Sequence, residues 1–286
     1  MTLKKRLASN KILLAPGVFD GLSALIAEKS GAEVVYLSGA SFAYTRFGRP
    51  DVGLVTMSEV AENIALIRDR ISLPIIVDAD NGFGNALNVQ RTVRVFERSG
   101  ANCLQLEDQS IPKRCGHLQG KSVIKKAEMV GKIRAACDAR LSKDTLIIAR
   151  TDSIAVEGFD SAVDRSDAYL TAGADILFIE APQSIAEMEI ISNTFRNRVP
   201  LMANMVEGGK SPSLNSDELH KMGFSLVIFP GGLVRALAKT CEDYFSNLIK
   251  EGSNTKFLHR MHDFSSLNEI LGTSNLLNKG KEYDQE

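Results

Sequence analysis

Short β-branched runs recur along this chain with amphipathic stretches between them, and that alternation restricts the fold more than any other feature. The runs lie at 12–16, 34–38, 74–78, 103–107, 146–150, 176–180, 201–204 and 226–229. Segments such as EVVYL, PIIVD, TLIIA and SLVIF lack strict polar alternation, as parallel strands buried on both faces do. Four runs follow a shared signal: Gly31-Ala32, Gly100-Ala101, Gly173-Ala174 and Gly223-Phe224 stand where a helix should end. Glycine enters the left-handed conformation of a helix C-terminus without a Cβ clash, so helix, glycine, strand is the implied order. Helices are predicted over 21–28, 58–69, 86–98, 125–141, 159–171, 185–194, 217–222 and 233–250. Eight βα units predict an α/β chain closed into a (β/α)8 TIM barrel, with an open doubly wound sheet as the alternative.

The chain has 286 residues, 44% hydrophobic and 24% charged, enough for one large core. A single domain over 1–286 is expected, with a helical extension from about residue 253. In that extension a helix over 257–271 carries the apolar stripe Leu267, Ile270 and Leu271, able to dock on the barrel or a second subunit; the polar end is expected to fray. A net charge of −1 argues against a nucleic-acid surface, and no run reaches membrane-spanning length. Cys103, Cys115, Cys137 and Cys241 form no CxxC pair, so reduced thiols and a cytoplasmic location are expected.

Active sites of such barrels lie at the C-terminal ends of the strands, and there the unusual polar groups of this sequence gather. Ser38-Gly39-Ala40 follows the second run, Asp78-Ala79-Asp80 ends the third, Glu107-Asp108 the fourth, Arg150-Thr151-Asp152 the fifth, Glu180 the sixth and Asn204 the seventh. Asp78, Asp80 and Glu107 suit a hard divalent cation, Mg²⁺ first and Mn²⁺ second; singly, each acid could instead cap a helix or pair with an arginine. Arg150 offers a guanidinium fork for a carboxylate, or a structural partner for Asp152 or Glu180. Backbone N–H groups at Ser38, Gly39 and Ala40 can face a ligand where glycine permits close approach.

The stretch Lys113-Arg114-Cys115-Gly116-His117 sits in a long loop, about 109–122, that reads as a mobile lid. A thiol among cations can hold a shifted pKa and move a proton. An isolated loop cysteine would be passive; the loop context favours a working one. Cys103 and Cys137 read as small core residues.

These motifs, together with Leu37-Ser38-Gly39, the run from Val77 to Gly84 (VDADNGFG), Leu106-Glu107-Asp108-Gln109, Ala149-Arg150-Thr151-Asp152 and the run from Asn204 to Gly209 (NMVEGG), resemble the isocitrate lyase and phosphoenolpyruvate mutase superfamily over nearly the whole chain. KRCGH marks the lyase branch. The resemblance implies a barrel whose last helix is exchanged with a neighbouring subunit, a homotetramer, and Mg²⁺ held by Asp78 with Asp80 and Glu107. It implies carbon–carbon cleavage of a small 2-hydroxy di- or tricarboxylate to a 2-oxo acid and a second carboxylate. Cys115 would be the general acid, beside Gly116 and His117. Arg150, Asn204, Arg235 and the residues Ser38, Gly39 and Ala40 would bind substrate. Tyr36, or water near Glu180, would supply the base.

Departures from the pattern bear on the substrate. Methylisocitrate lyases carry two glycines where this chain has Gly39-Ala40, and NITE where it has Asn204-Met205-Val206-Glu207. An arginine that helps hold a third carboxylate there corresponds to Phe264 here. One cation fewer fits an alkyl-substituted dicarboxylate of the 2,3-dimethylmalate type, giving pyruvate and propionate. The alternatives are 2-methylisocitrate cleavage to pyruvate and succinate, oxaloacetate decarboxylation or hydrolysis, a phosphonopyruvate-type reaction, and a non-catalytic assembly subunit.

Overall fold

The computed structural model describes residues 2–9, 11–116, 118 and 120–284. All eight predicted strands are present: β1 (Leu13–Val18), β2 (Val35–Leu37), β3 (Ile75–Asp78), β4 (Cys103–Glu107), β5 (Leu146–Thr151), β6 (Ile176–Ile179), β7 (Leu201–Asn204) and β8 (Leu226–Phe229). They pair in chain order, all parallel, and β8 closes on β1 through Leu13 with Leu226 and Ala15 with Ile228. The closed barrel rules out the open sheet.

The lack of alternation in these runs has a direct cause. Successive residues face two different cores. Leu13, Ala15, Tyr36, Ile76, Ile148 and Phe178 join one buried cluster inside the barrel. Val35, Leu37, Ile75, Val77, Ile147 and Leu177 join a second, formed between the strands and the helices. Burying a side chain of this size is worth about 1.5–3 kcal/mol, so both faces of each strand are specified by apolar residues.

The surrounding helices are α1 (Leu3–Leu7), α2 (Gly21–Lys29), α3 (Gly39–Phe47), α4 (Met57–Arg70), α5 (Ala86–Ser99), α6 (Lys126–Ala139), α7 (Ile154–Glu157), α8 (Phe159–Thr171), α9 (Ile185–Phe195), α10 (Ser216–Met222) and α11 (Gly232–Glu251). Gly100 and Gly223 end α5 and α10 at φ of +110° and +111°, as the glycine signal required. Three short helices, α1, α3 and α7, were not predicted. Helix α1 is capped by Thr2 and sends Leu3 and Leu7, four residues apart, into the interior cluster. Helix α3 begins where the sequence was read as a ligand-facing turn, because the Ser38 side chain accepts from Ser41 N at 3.2 Å and starts the helix.

The chain divides into two compact units, Met1–Val234 and Arg235–Glu286. In the second, a 3-10 helix (Thr255–Arg260) precedes α12 (Phe264–Leu271) and α13 (Thr273–Tyr283). The single helix expected over 257–271 is broken because the Asp263 side chain caps a new start at Ser266 N, 2.7 Å away. The polar end is helical to Tyr283, and residues 285–286, the last of those expected to fray, lie outside the described residues. Tyr244 packs edge-on against both Phe245 and Phe257, and Arg260 lies 4.7 Å over the Phe257 ring. Among the described residues, no helix is long and apolar enough to cross a membrane.

Candidate active site

Strand β3 delivers Asp78 to the rim of the barrel, and the next residues turn sharply. Asp80 and Phe83 adopt φ of +48° and +59°, strained for residues with a Cβ and costing of order 1–3 kcal/mol each. The turn is held from several sides. Asp80 N donates to Asp78 Oδ1 (3.2 Å), Glu107 N donates to Asp80 O (2.9 Å), and buried Lys132 on α6 donates to Asn81 O (3.0 Å). A Cβ on Gly39 would stand 3.1 Å from Asp78 Oδ2 and 3.6 Å from Asp80 Oδ1. The glycine thus keeps a small space open beside both carboxylates, at the first turn of α3. The Ser38 hydroxyl is committed to its cap.

Glu107 ends β4 and is 1% exposed. Its Oε2 is 3.3 Å from Arg150 Nε, while Oε1 has no hydrogen-bond partner among the described residues. Burial pushes its carboxyl well above the usual range, and Arg150 offsets only part of that. Burial also raises Asp80, against the pull of Lys113, to about 7. No three His, Cys, Asp or Glu side chains among the described residues form a ready metal cluster. The donor set still fits a hard cation that keeps its waters: two carboxylates flank the space at Gly39, and a third has an unsatisfied oxygen.

Lys113 bridges Asp51 Oδ1 and Asp80 Oδ1, 2.6 Å from each. Burial works against its charge, but Asp80 and Asp51 outweigh it and hold the ammonium well above its usual pKa. Asp51 was missed by the sequence reading; it sits in an irregular segment with no local signal. The loop is bonded to the rim at several points. Cys115 N donates to Asp51 O (3.2 Å), the Gln109 side chain bonds both N and O of Arg114, and Ser110 N donates to Ser122 O (2.9 Å). Cys115 is half-buried and Gly116 fully so. Any side chain at Gly116 would collide with Glu180 Oε1 and Arg150 Nη2. His117 lies outside the described residues.

Arg150 is 7% exposed and its fork is already engaged. Nε and Nη2 donate to Asp152 Oδ2 and Oδ1 at 2.8 and 3.0 Å, and Nη2 stands 3.8 Å from Glu180 Oε1. The remaining Nη1 donates to no described residue. Burial opposes ionisation of Asp152, but Arg150 and Lys121 outweigh it and hold its pKa at about 2. Asn204 Nδ2 lies 3.3 and 3.2 Å from the two Glu180 oxygens. Ala181, at φ +59°, is the strained turn that follows Glu180.

Tyr36 is the side chain that the sequence offers as a candidate base. It lies inside the barrel, its hydroxyl donates to Gln105 Oε1 (3.0 Å), and burial, then Asp78, push its pKa well above 10. Gln105 Nε2 in turn donates to Asp78 Oδ1 at 3.3 Å. The side chains of Asp78, Asp80, Glu107, Arg150, Glu180 and Asn204 are all carried at the strand ends of one unit. Arg235 belongs to the second unit, on α11. Phe264, the first residue of α12, is 86% exposed.

A sequence model described as phosphoenolpyruvate phosphomutase matches residues 3–249. The chain is 40% identical over 270 residues to a 2,3-dimethylmalate lyase of Eubacterium barkeri, covering 94% of this chain and 93% of that one. It is 43% identical over 272 residues to a 2-methylisocitrate lyase of Aeropyrum pernix, with 95% and 87% coverage. A crystal structure of 2,3-dimethylmalate lyase superposes with a TM-score of 0.93 at 33% identity, covering 98% and 94% of the two chains.

Proposed function

Because this chain belongs to the phosphoenolpyruvate phosphomutase family, within the superfamily shared with isocitrate lyase, we propose that it is a carbon–carbon lyase cleaving a 2,3-dimethylmalate-type 2-hydroxy dicarboxylate to pyruvate and propionate. The observation that carries the reading is the ion pairing of Lys113, in the loop that bears Cys115, to the same Asp80 that flanks Asp78. A loop acid and a carboxylate-lined rim are thereby joined in one site. Mg²⁺, or Mn²⁺ in its place, would be held by Asp78 with Asp80 and Glu107, partly through water, and would supply Lewis-acid stabilisation of the substrate hydroxyl and its neighbouring carboxylate.

Arg150 Nη1 and the Gly39 and Ala40 N–H groups bind the substrate carboxylates, with Asn204 orienting Glu180 beside them. Water held at Glu180 takes the hydroxyl proton. The C2–C3 bond breaks, its electron pair remains on C3 as the enolate of propionate, and the C2–O bond becomes the ketone of pyruvate. The Cys115 thiol then gives its proton to C3, and Lys113 supplies positive charge near the resulting thiolate. Gly116, packed on Glu180 and Arg150, excludes water from this step. His117 and Arg235 remain expectations carried from sequence.

The test offers 2,3-dimethylmalate, 2-methylisocitrate, isocitrate and oxaloacetate, with Mg²⁺, to wild type and Cys115→Ser in parallel, and follows 2-oxo acid release. Pyruvate from 2,3-dimethylmalate that is lost in the variant is the expected result. Turnover of oxaloacetate alone, kept in the variant, would sink the lyase reading. The 43% identity to a 2-methylisocitrate lyase favours that substrate as the second reading, and succinate among the products would identify it.

We further read the chain as one barrel domain with a helical extension, working in the cytoplasm as a homotetramer with its last helix exchanged between neighbours. An apolar groove of about 570 Å³ on the barrel flank, lined by Ile12, Leu14, Ile26, Phe229 and Leu233, suits a helix from a second copy. Light scattering at a mass near four chains would support this, and a monomer would remove it.

A further inference from the structure

The Lys121 side chain is buried at the rim, yet the proposed reaction does not use it. Its side chain is 1% exposed, and its ammonium makes two bonds of different kinds. It donates to Asp152 Oδ1 at 2.8 Å, on the end of β5, and to the carbonyl of Gly116, in the loop beside Cys115. Asp152 is fully buried and shares its carboxylate between two cations, because the same Oδ1 and its Oδ2 receive the Arg150 fork. Gly116 in turn has no room for a side chain against Glu180 and Arg150. One ammonium therefore ties the backbone next to Cys115 to the carboxylate that orients Arg150.

We infer that Lys121 is a positioning residue: through Gly116 and Asp152 it makes the seating of the Cys115 segment and the setting of the Arg150 guanidinium a single event. A lysine suits this task because its ammonium has three donors on a flexible stem and can satisfy a backbone carbonyl and a carboxylate together. When the segment lifts, the ammonium must leave its buried acceptor, and Asp152 loses one of its two cations. Seating is thus favoured by the same charge that holds Arg150 in place. The catalytic consequence rests on the roles proposed above for Cys115 and Arg150; the physical coupling does not.

The coupling is read without substrate, as the rate of Cys115 alkylation by iodoacetamide in the full-length protein, followed by peptide mass spectrometry with Cys137 and Cys241 as internal references. Lys121→Met should raise the Cys115 rate at least about tenfold, the factor set by losing one charge-assisted hydrogen bond. Lys121→Arg should restore most of the protection, and kcat should fall and recover in parallel. Lys121→Gln, which keeps a donor without the charge, should lie between and serves if the methionine variant does not fold. Asp152→Asn combined with Lys121→Met should be no faster than the faster single variant, since both break one link. An unchanged Cys115 rate in the Lys121 variants, or rate effects that multiply in the pair, would overturn the inference. A protein that shows the coupling but cleaves none of the four acids would keep it and remove the proposed reaction; cleavage with unchanged alkylation would do the reverse.

Discussion

Glu107 and Asp108 are neighbours in sequence, equally buried, and placed in opposite circumstances. Glu107 faces the rim with one oxygen unsatisfied and the other 3.3 Å from Arg150. Asp108 is surrounded by donors: Asp152 N at 2.9 Å on Oδ1, and Thr151 Oγ1 at 2.7 Å, Tyr169 OH at 2.8 Å and Arg165 Nη1 at 3.3 Å on Oδ2. Burial raises both carboxyls; Glu107 is raised well above its usual value, whereas hydrogen bonds from Asp152, Thr151 and Tyr169 counter part of the rise at Asp108. The difference teaches where this fold holds its unspent interaction energy. Asp108 completes a network that fixes the end of β5 and so the placement of Asp152 under Arg150. Glu107 is left with an oxygen that a ligand must answer, the pattern of a functional rather than a structural acid.

Substitution can break that contrast. The largest effect is expected at Glu107→Gln, which should lower kcat/KM by about 100-fold or more while leaving the midpoint of chemical denaturation unchanged or slightly higher, because the Oε1 that it replaces bonds nothing in the fold. A large loss of stability would show that Glu107 is structural after all. Asp108→Ala should do the opposite to stability, costing about 3 kcal/mol by stranding Arg165, Tyr169 and Thr151; urea denaturation measures it, and a cost near zero would contradict the network. Tyr169→Phe removes one of the four donors and should cost about 1 kcal/mol in the same assay.

The pH dependence sharpens the comparison at its smallest scale. The Asp152 pKa is held near 2, below its unfolded value. A carboxyl with a depressed folded pKa contributes stability that is fully present above the unfolded pKa and is lost as pH falls through the folded one. Stability should therefore decline between about pH 4 and pH 2, and Asp152→Asn should flatten that decline. An identical acid-unfolding curve for the variant would assign the acid sensitivity elsewhere.

Much of the site was legible because chemistry-bearing residues at strand ends can be counted without coordinates. Asp78, Asp80, Glu107, Arg150, Glu180 and Asn204 were found that way, each from its place after a β-branched run. Asp51 was not, since an acid in an irregular segment gives no local sign that a lysine 62 positions later, by residue number, will meet it. The loop's glycines and lysines give no local sign that Lys113 and Lys121 are buried anchors, which only their partners reveal. Likewise only the structure shows Tyr36 inside the barrel on Gln105. The backbone donor expected at Ser38 is spent on Val18 O (3.2 Å), and its hydroxyl caps a helix.

The sequence by itself determined the eightfold βα order, the closure it favours and the kinds of group carried to the rim, because hydrophobic period and glycine punctuation are local properties of the chain. Tertiary structure alone decided which charges are answered and which are left open. That depends on distances of a few ångströms between residues far apart in sequence, and on a buried environment where an unanswered charge is costly enough to matter.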